Sequence, residues 1–364
     1  MNRRSALTLS ALLASAVLVA SACAVPPAPR PQPTPAADVP AATATTAPQA
    51  NAETKLKVLA TFSIIADLVR NVAGDKVTLV TLVGAEMDSH DYEPTPSDMA
   101  KVADAQLIFE NGLMFESWLD RLYEASSSRA KRVVLSEGID PRPFAEDGHG
   151  HAHEHEHGHD HKHDAGAEGE HAHGEAKTDK HAHEHGEFDP HVWQDVRNVI
   201  QMVSNIAQAL SEADPANADF YATNAEAYIA RLEALDEEIV ALVEQIPEDK
   251  RKLVTSHEAL GYFADRYGFK IVGTVLGTMS AEAREPSAQD FAKLAESVKA
   301  EGVRVIFLEN VTNPQVVERL AKEAGIAIGP SLYTDALGAP GSPGATYIDM
   351  MRFNVRAIVE ALTK

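Results

Sequence analysis

From Ala218 to Gln245 the apolar residues Tyr221, Ala225, Tyr228, Leu232, Leu235, Ile239 and Leu242 recur at intervals of four and three. That spacing lays them along one face of a helix of about seven turns, which must end before Pro247 because proline cannot continue the hydrogen-bond ladder. A helix this long with a single apolar face has to be covered along its length, and the flanking sequence shows by what. Before it, Leu56 to Phe62, Val77 to Val83, Ala105 to Phe109 and Arg132 to Leu135 read as short strands, with helical segments such as Ile64 to Val72 between them. After it, Lys252 to Thr255, Lys270 to Leu276, Val303 to Leu308 and Ile326 to Leu332 are strand candidates. Helices are expected around Ala259 to Tyr267, Ala288 to Ala300, Pro314 to Ala324 and Thr346 to Leu362. Alternation of this kind predicts an α/β fold: two lobes, each a mostly parallel sheet flanked by helices, joined by the long helix as a rigid connector.

A chain of 364 residues is long enough for two such domains. Residues 55–217 form the expected first lobe, 218–246 the connecting helix, and 247–364 the second lobe. Val192 to Leu210 reads as a further helix closing the first lobe. The net charge of −22 argues against a nucleic-acid partner, which needs clustered Lys and Arg, and suits a cation.

Residues 1–22 read as an export signal, with Arg3 and Arg4 ahead of the apolar run Ala6 to Ala20, which is too short to span a bilayer comfortably. Ala20-Ser21-Ala22-Cys23 follows, and Cys23 is the only cysteine, so no intramolecular disulfide can form. A sole thiol at that place resembles the lipidated first residue of a bacterial lipoprotein; the alternative is an ordinary cleavage site beside an incidental cysteine. Residues 23–54, rich in Pro, Ala and Thr, would then be a tether between membrane and domain.

Residues 146–187 are a low-complexity insertion with twelve acidic and three basic residues and thirteen of the sixteen histidines: His149, His151, His153, His155, His157, His159, His161, His163, His171, His173, His181, His183 and His185. It cannot pack into a core and is expected to be a disordered loop of the first lobe. Its His-x-His pairs suit weak, interchangeable metal sites, since flexible chain must be ordered around every ion. A solvated acidic loop with incidental histidines is the plainer alternative.

Only His90, His191 and His257 lie outside that insertion. His90 sits between the strand ending at Val83 and Thr95-Pro96-Ser97-Asp98, a helix-start signature. His191 stands at the head of a helix in Asp189-Pro190-His191-Val192-Trp193, and His257 directly follows the strand Lys252 to Thr255. Loops beyond the carboxyl ends of strands are where open α/β sheets bind ligands, so three imidazoles there could meet between the lobes. Three neutral imidazoles suit zinc, which then wants a fourth donor. Asp335, after the last strand, is the best placed carboxylate, with a turn or helix cap as its other reading.

Four ordered runs carry a resemblance: His90-Asp91-Tyr92-Glu93-Pro94-Thr95-Pro96-Ser97-Asp98, Asp189-Pro190-His191-Val192-Trp193, Ser256-His257-Glu258-Ala259-Leu260-Gly261-Tyr262-Phe263 and Asp335-Ala336-Leu337-Gly338. With Tyr347 to Arg352 as a closing helix, they resemble the zinc and manganese solute-binding proteins of ABC importers, the ZnuA and TroA-like group (cluster A-I), from Lys55 to Lys364. The resemblance implies a metal between the lobes, held by His90, His191, His257 and Asp335. It further implies a monomer working with an importer permease and its ATPase, with the membrane reached through a lipid anchor alone. Manganese members commonly carry glutamate where His257 stands, and the histidine-rich insertion resembles the zinc branch. The expected cargo is therefore Zn2+, with Mn2+ as the alternative, and no organic cofactor. A zinc hydrolase is the rival class, since three histidines also hold catalytic zinc; it would need a general base such as Glu258 or Glu309, and no His-Glu-x-x-His run is present. A surface adhesin is a third reading, without repeats to support it.

Overall fold

In the computed structural model, residues 55–90, 92–144, 188–276 and 287–364 are described. The signal segment, tether, Cys23 and histidine-rich insertion lie outside them. The first strand, β1 (Leu56–Phe62), is buried over its last five residues, and α1 (Ser63–Ala73) follows it without a loop. Then come β2 (Val77–Val83), α2 (Pro96–Asp104), β3 (Leu107–Glu110), α3 (Leu119–Ser126) and β4 (Lys131–Val134). These strands form one sheet in the order β2-β1-β3-β4, with every pairing parallel. Helix α2 starts as its residues require: Thr95 and Asp98 form a reciprocal capping box and Pro96 occupies the first turn, where its missing N–H costs nothing.

The helix expected from Val192 is in two parts: a short 3-10 turn, Val192–Gln194, and then α4 (Val196–Ala213). Between them Asp195 takes extended backbone and accepts from the Arg197 amide, so it caps the second helix instead of continuing the first. The long helix α5 spans Ala218–Val243 and buries Tyr221, Ala225, Tyr228, Leu232, Leu235 and Ile239, as their spacing predicts. It packs on α1 and α4, and also on α6 (Gly261–Tyr267) and α9 (Tyr347–Thr363).

The second half contains β5 (Lys252–Thr255), β6 (Lys270–Thr274), α7 (Ala288–Ala300), β7 (Val305–Glu309), α8 (Pro314–Ala324) and β8 (Ala327–Leu332). Its strands form two parallel pairs, β5 with β6 and β7 with β8, with β5 and β7 side by side. Two apolar cores result. The smaller joins Val254, Phe291, Val298, Ile306, Val317 and Leu320 around α7 and α8. The larger runs from the first sheet through α4 and α5 to Phe263 of α6 and Met351 and Ile358 of α9, so elements late in sequence complete the core of the first half. Each large apolar side chain fully buried there contributes about 1.5–3 kcal/mol relative to exposure. Among the described residues no helix is long and apolar enough to cross a membrane.

Candidate metal centre

Each expected ligand leaves the carboxyl end of a strand or the head of a turn. The loop after β2 brings in His90, whose backbone N–H donates to Asp88 Oδ1 at 2.8 Å and whose ring meets Phe115 edge-on at 4.7 Å between centroids. His191 heads the 3-10 turn and is wholly buried. Its backbone N–H and its ring Nδ1 both donate to Asp189 Oδ1, at 3.0 and 2.7 Å. A carboxylate can only accept, so the proton resides on Nδ1 and the Nε2 lone pair faces inward.

His257 follows β5. Its Nδ1 contacts Glu309 Oε2, while Glu309 Oε1 accepts from the backbone amides of Ser256 at 2.6 Å and His257 at 3.1 Å. Asp335 follows β8, and its side chain is 1% exposed.

One ligand atom from each of His90, His191, His257 and Asp335 lies within 4.8 Å of the others. The Asp335 oxygens stand 2.9 Å from His257 Nε2, 3.5 Å from His90 Nε2 and 3.6 Å from His191 Nε2, and the last two nitrogens are 3.3 Å apart. Neither Asp335 oxygen accepts a well-oriented hydrogen bond from the described residues. A buried carboxylate left so, facing three imidazole nitrogens of which those of His191 and His257 are backed by carboxylates, is a donor set suited to a cation.

The electrostatics agree. Burial opposes the charge of Asp335, but attraction to the surrounding imidazoles, that of His257 first, outweighs it and holds the carboxyl well below its ordinary range. Burial likewise opposes protonation of His257, yet Glu309 and Asp335 outweigh it and raise this imidazole well above its ordinary value. Without metal, a proton on His257 therefore balances two carboxylates; a dication can take that place. Phe62, Phe115 and Trp193, with ring centroids 4.8–5.1 Å apart, wall one side and keep water from the imidazoles.

The centre is also fixed across the two halves. Trp193 Nε1 and Gln194 Nε2 donate to the Thr334 carbonyl next to Asp335, at 2.8 and 3.0 Å. Tyr262 of α6 donates its hydroxyl to the Asp189 carbonyl at 2.9 Å, and Arg142 reaches Asp189 Oδ2 at 3.2 Å. Arg142 also takes the Glu258 carboxylate at 3.4 Å, so the candidate base beside His257 is engaged away from the ligands. Sequence reasoning singled out the four residues that converge here but missed the carboxylates that orient two of them. The sequence reads Glu309 only as a possible base and Asp189 only as part of a motif; an acid two positions before a loop histidine is a usable signal for Asp189, and Glu309 has none.

Four buried donors of this kind, gathered from strand ends of two α/β halves bridged by a long helix, define a metal-binding protein. The chain belongs to the family described as zinc-uptake complex component A, periplasmic, whose profile matches residues 58–361. It is 34% identical over 310 residues to the manganese-binding lipoprotein MntA of Halalkalibacterium halodurans, covering 85% of this chain and 89% of that protein. It is 31% identical over 316 residues to the manganese ABC transporter substrate-binding lipoprotein PsaA of Streptococcus mitis, covering 85% and 90%. Among solved structures it is similar to the periplasmic zinc binding protein TroA of Treponema pallidum, with a TM-score of 0.70 and 28% identity, covering 85% of this chain and all of that one. The chain is thus a substrate-binding component of a metal ABC transporter, exported to the outer face of the cytoplasmic membrane, and works with a membrane permease and ATPase. It is not an enzyme, and the hydrolase reading falls away.

Proposed function

We propose that the chain captures Zn2+ through His90, His191, His257 and Asp335 and delivers it to the permease for uptake. The supporting observation is the donor set: three imidazoles and one carboxylate converge, and imidazole-rich sites suit zinc whereas manganese prefers oxygen donors. Cys23 serves as the lipid anchor and residues 23–54 as the tether of a monomer; residues 55–217 and 247–364 act as the two lobes about the connecting helix. The histidine-rich insertion adds weak capacity.

Manganese is the second reading, and the names of the relatives favour it over zinc, since MntA and PsaA are both called manganese proteins. Equilibrium affinity alone does not separate the two, because nearly any nitrogen- and oxygen-donor site binds Zn2+ more tightly than Mn2+. Uptake does. Cells lacking the chain should lose zinc accumulation from metal-poor medium and keep manganese accumulation. Loss of manganese with zinc unaffected would transfer the function to the second reading. A His257→Glu variant supplies the complementary test: an added oxygen donor should narrow the preference for zinc over manganese in competitive titration.

A further inference from the structure

Away from the metal centre, α1, α5 and the start of α9 border a half-open cavity of about 160 Å3, lined by buried Asp67 and Tyr228, by the exposed Arg70 and Arg231, and by Asn71 and Thr346, among others. Tyr228 is only 2% exposed, and its hydroxyl has no hydrogen-bond partner among the described residues. A buried hydroxyl left without a partner is costly and marks a place where a ligand or water completes the structure. The guanidinium of Arg231 lies over the Tyr228 ring, 5.3 Å from its centroid, which holds it against the cavity wall.

The balance of donors and acceptors indicates what fits. Asp67 Oδ2 accepts from the Tyr347 amide at 3.0 Å, and its Oδ1 faces Arg70 Nη1 at 3.5 Å. Arg231 Nη1 reaches Asn71 Oδ1 at 3.4 Å. The Asp349 carboxylate accepts from the Thr346 hydroxyl at 2.8 Å. Asp67 Oδ1 and Asn71 Oδ1 each take one long contact from a guanidinium, whose other N–H groups, like the Tyr228 hydroxyl, have no hydrogen-bond partner among the described residues. Guanidinium forks match the oxygens of carboxylates and phosphates. The cavity has about the volume of five waters in the liquid, enough for phosphate or a short carboxylate.

We propose that this cavity is a binding site for a small oxyanion, held by Arg70, Arg231 and the Tyr228 hydroxyl. The site is independent of the metal centre and of which metal is carried. Its position, among one helix of the first half, the connector and the last helix, makes the oxyanion a brace where these three helices meet.

The test uses the full, metal-free chain, titrated with inorganic phosphate and separately with succinate, against sodium chloride at matched ionic strength. At least one of the two should raise the melting temperature saturably, and calorimetry should give one site. The Arg231→Gln change should weaken that binding about tenfold and Tyr228→Phe several-fold, as expected for charged and neutral hydrogen bonds, with zinc affinity unchanged in both. Preference for phosphate or for succinate identifies the oxyanion class. No saturable effect beyond sodium chloride, or equal binding by both variants, would mean that water alone fills the cavity and would overturn the proposal. If Arg231→Gln does not fold, Tyr228→Phe, which removes one oxygen, decides it.

Discussion

Glu309 grips His257 from both ends: one carboxylate oxygen accepts the backbone amide of His257 and the other meets its ring Nδ1. The pair fixes the imidazole and sets its proton affinity. Because Glu309 and Asp335 together raise His257 well above the ordinary value, metal has to displace a proton even near neutral pH.

The sign of the pH dependence follows. Protonation of His257 stabilises the metal-free protein, an effect fully present below the unfolded-state value and lost as pH rises through the raised folded one. Metal binds the neutral ring, so below the raised value affinity should fall about tenfold per pH unit. Asp335, held well below its ordinary range, stays ionised and adds no slope there. Titrations in two buffers of different ionisation enthalpy should show about one proton released per ion at pH 7, and the gain in melting temperature from zinc should shrink as pH falls. A flat profile would remove His257 from the ligand set. Glu309→Gln should reduce proton release and weaken zinc binding about 10- to 100-fold.

Gly261 predicts a second outcome. A methyl group placed there would press on Arg142 Nη1 and lie 2.5 Å from Asp189 Oδ2. The arginine tip can yield, but Asp189 is held by both the backbone and the ring of His191. Gly261→Ala should therefore cost about 1–3 kcal/mol of stability by overpacking and weaken zinc binding through a displaced His191. Denaturant unfolding and calorimetry of the same sample check both, and an unchanged affinity would show that Asp189 does not set the ring.

Phe115→Ala tests the aromatic wall. The ring packs against Phe62, Trp193 and His90 in a fully buried setting, so its loss should cost about 3–5 kcal/mol. Equilibrium unfolding of the metal-free variant measures that cost. Zinc affinity should fall as well, since His90 loses the surface against which its ring is held.

The histidine-rich insertion and the folded centre should separate cleanly in titration. Deleting residues 146–187 is expected to remove weak binding and leave one tight event, because the centre's ligands are already ordered and the insertion must order its chain for each ion. His257→Ala should do the reverse. Loss of the tight event on deletion, with His257→Ala intact, would make the insertion the receptor.

The sequence pointed to the four converging residues because each stands beside a local signal: a strand end, a capped helix start, or an acid two residues before. It disclosed α5 because Tyr221, Tyr228, Leu235 and their neighbours repeat at helical spacing. It could not disclose that Glu309 meets His257, since that depends on β7 lying beside β5, a long-range adjacency without a local pattern. The break at Asp195 was hidden in the same way: Val192 and Trp193 continue the apolar pattern of α4, while the chain uses Asp195 as a cap. Tyr228 was legible as an apolar face residue, and its hydroxyl facing a cavity was not.

His90 and His191 are 101 positions apart in the chain, and His257 and Asp335 lie farther along still. An unfolded polypeptide thus carries the donors without a receptor, because the full set comes together only when both halves have folded and met. Loading of this centre is in that sense a certificate of completed folding: only a finished molecule can seat an ion there. Once seated, the ion staples four remote stretches of chain together, so protease resistance gained on metal addition would report how many secreted copies have reached their final form.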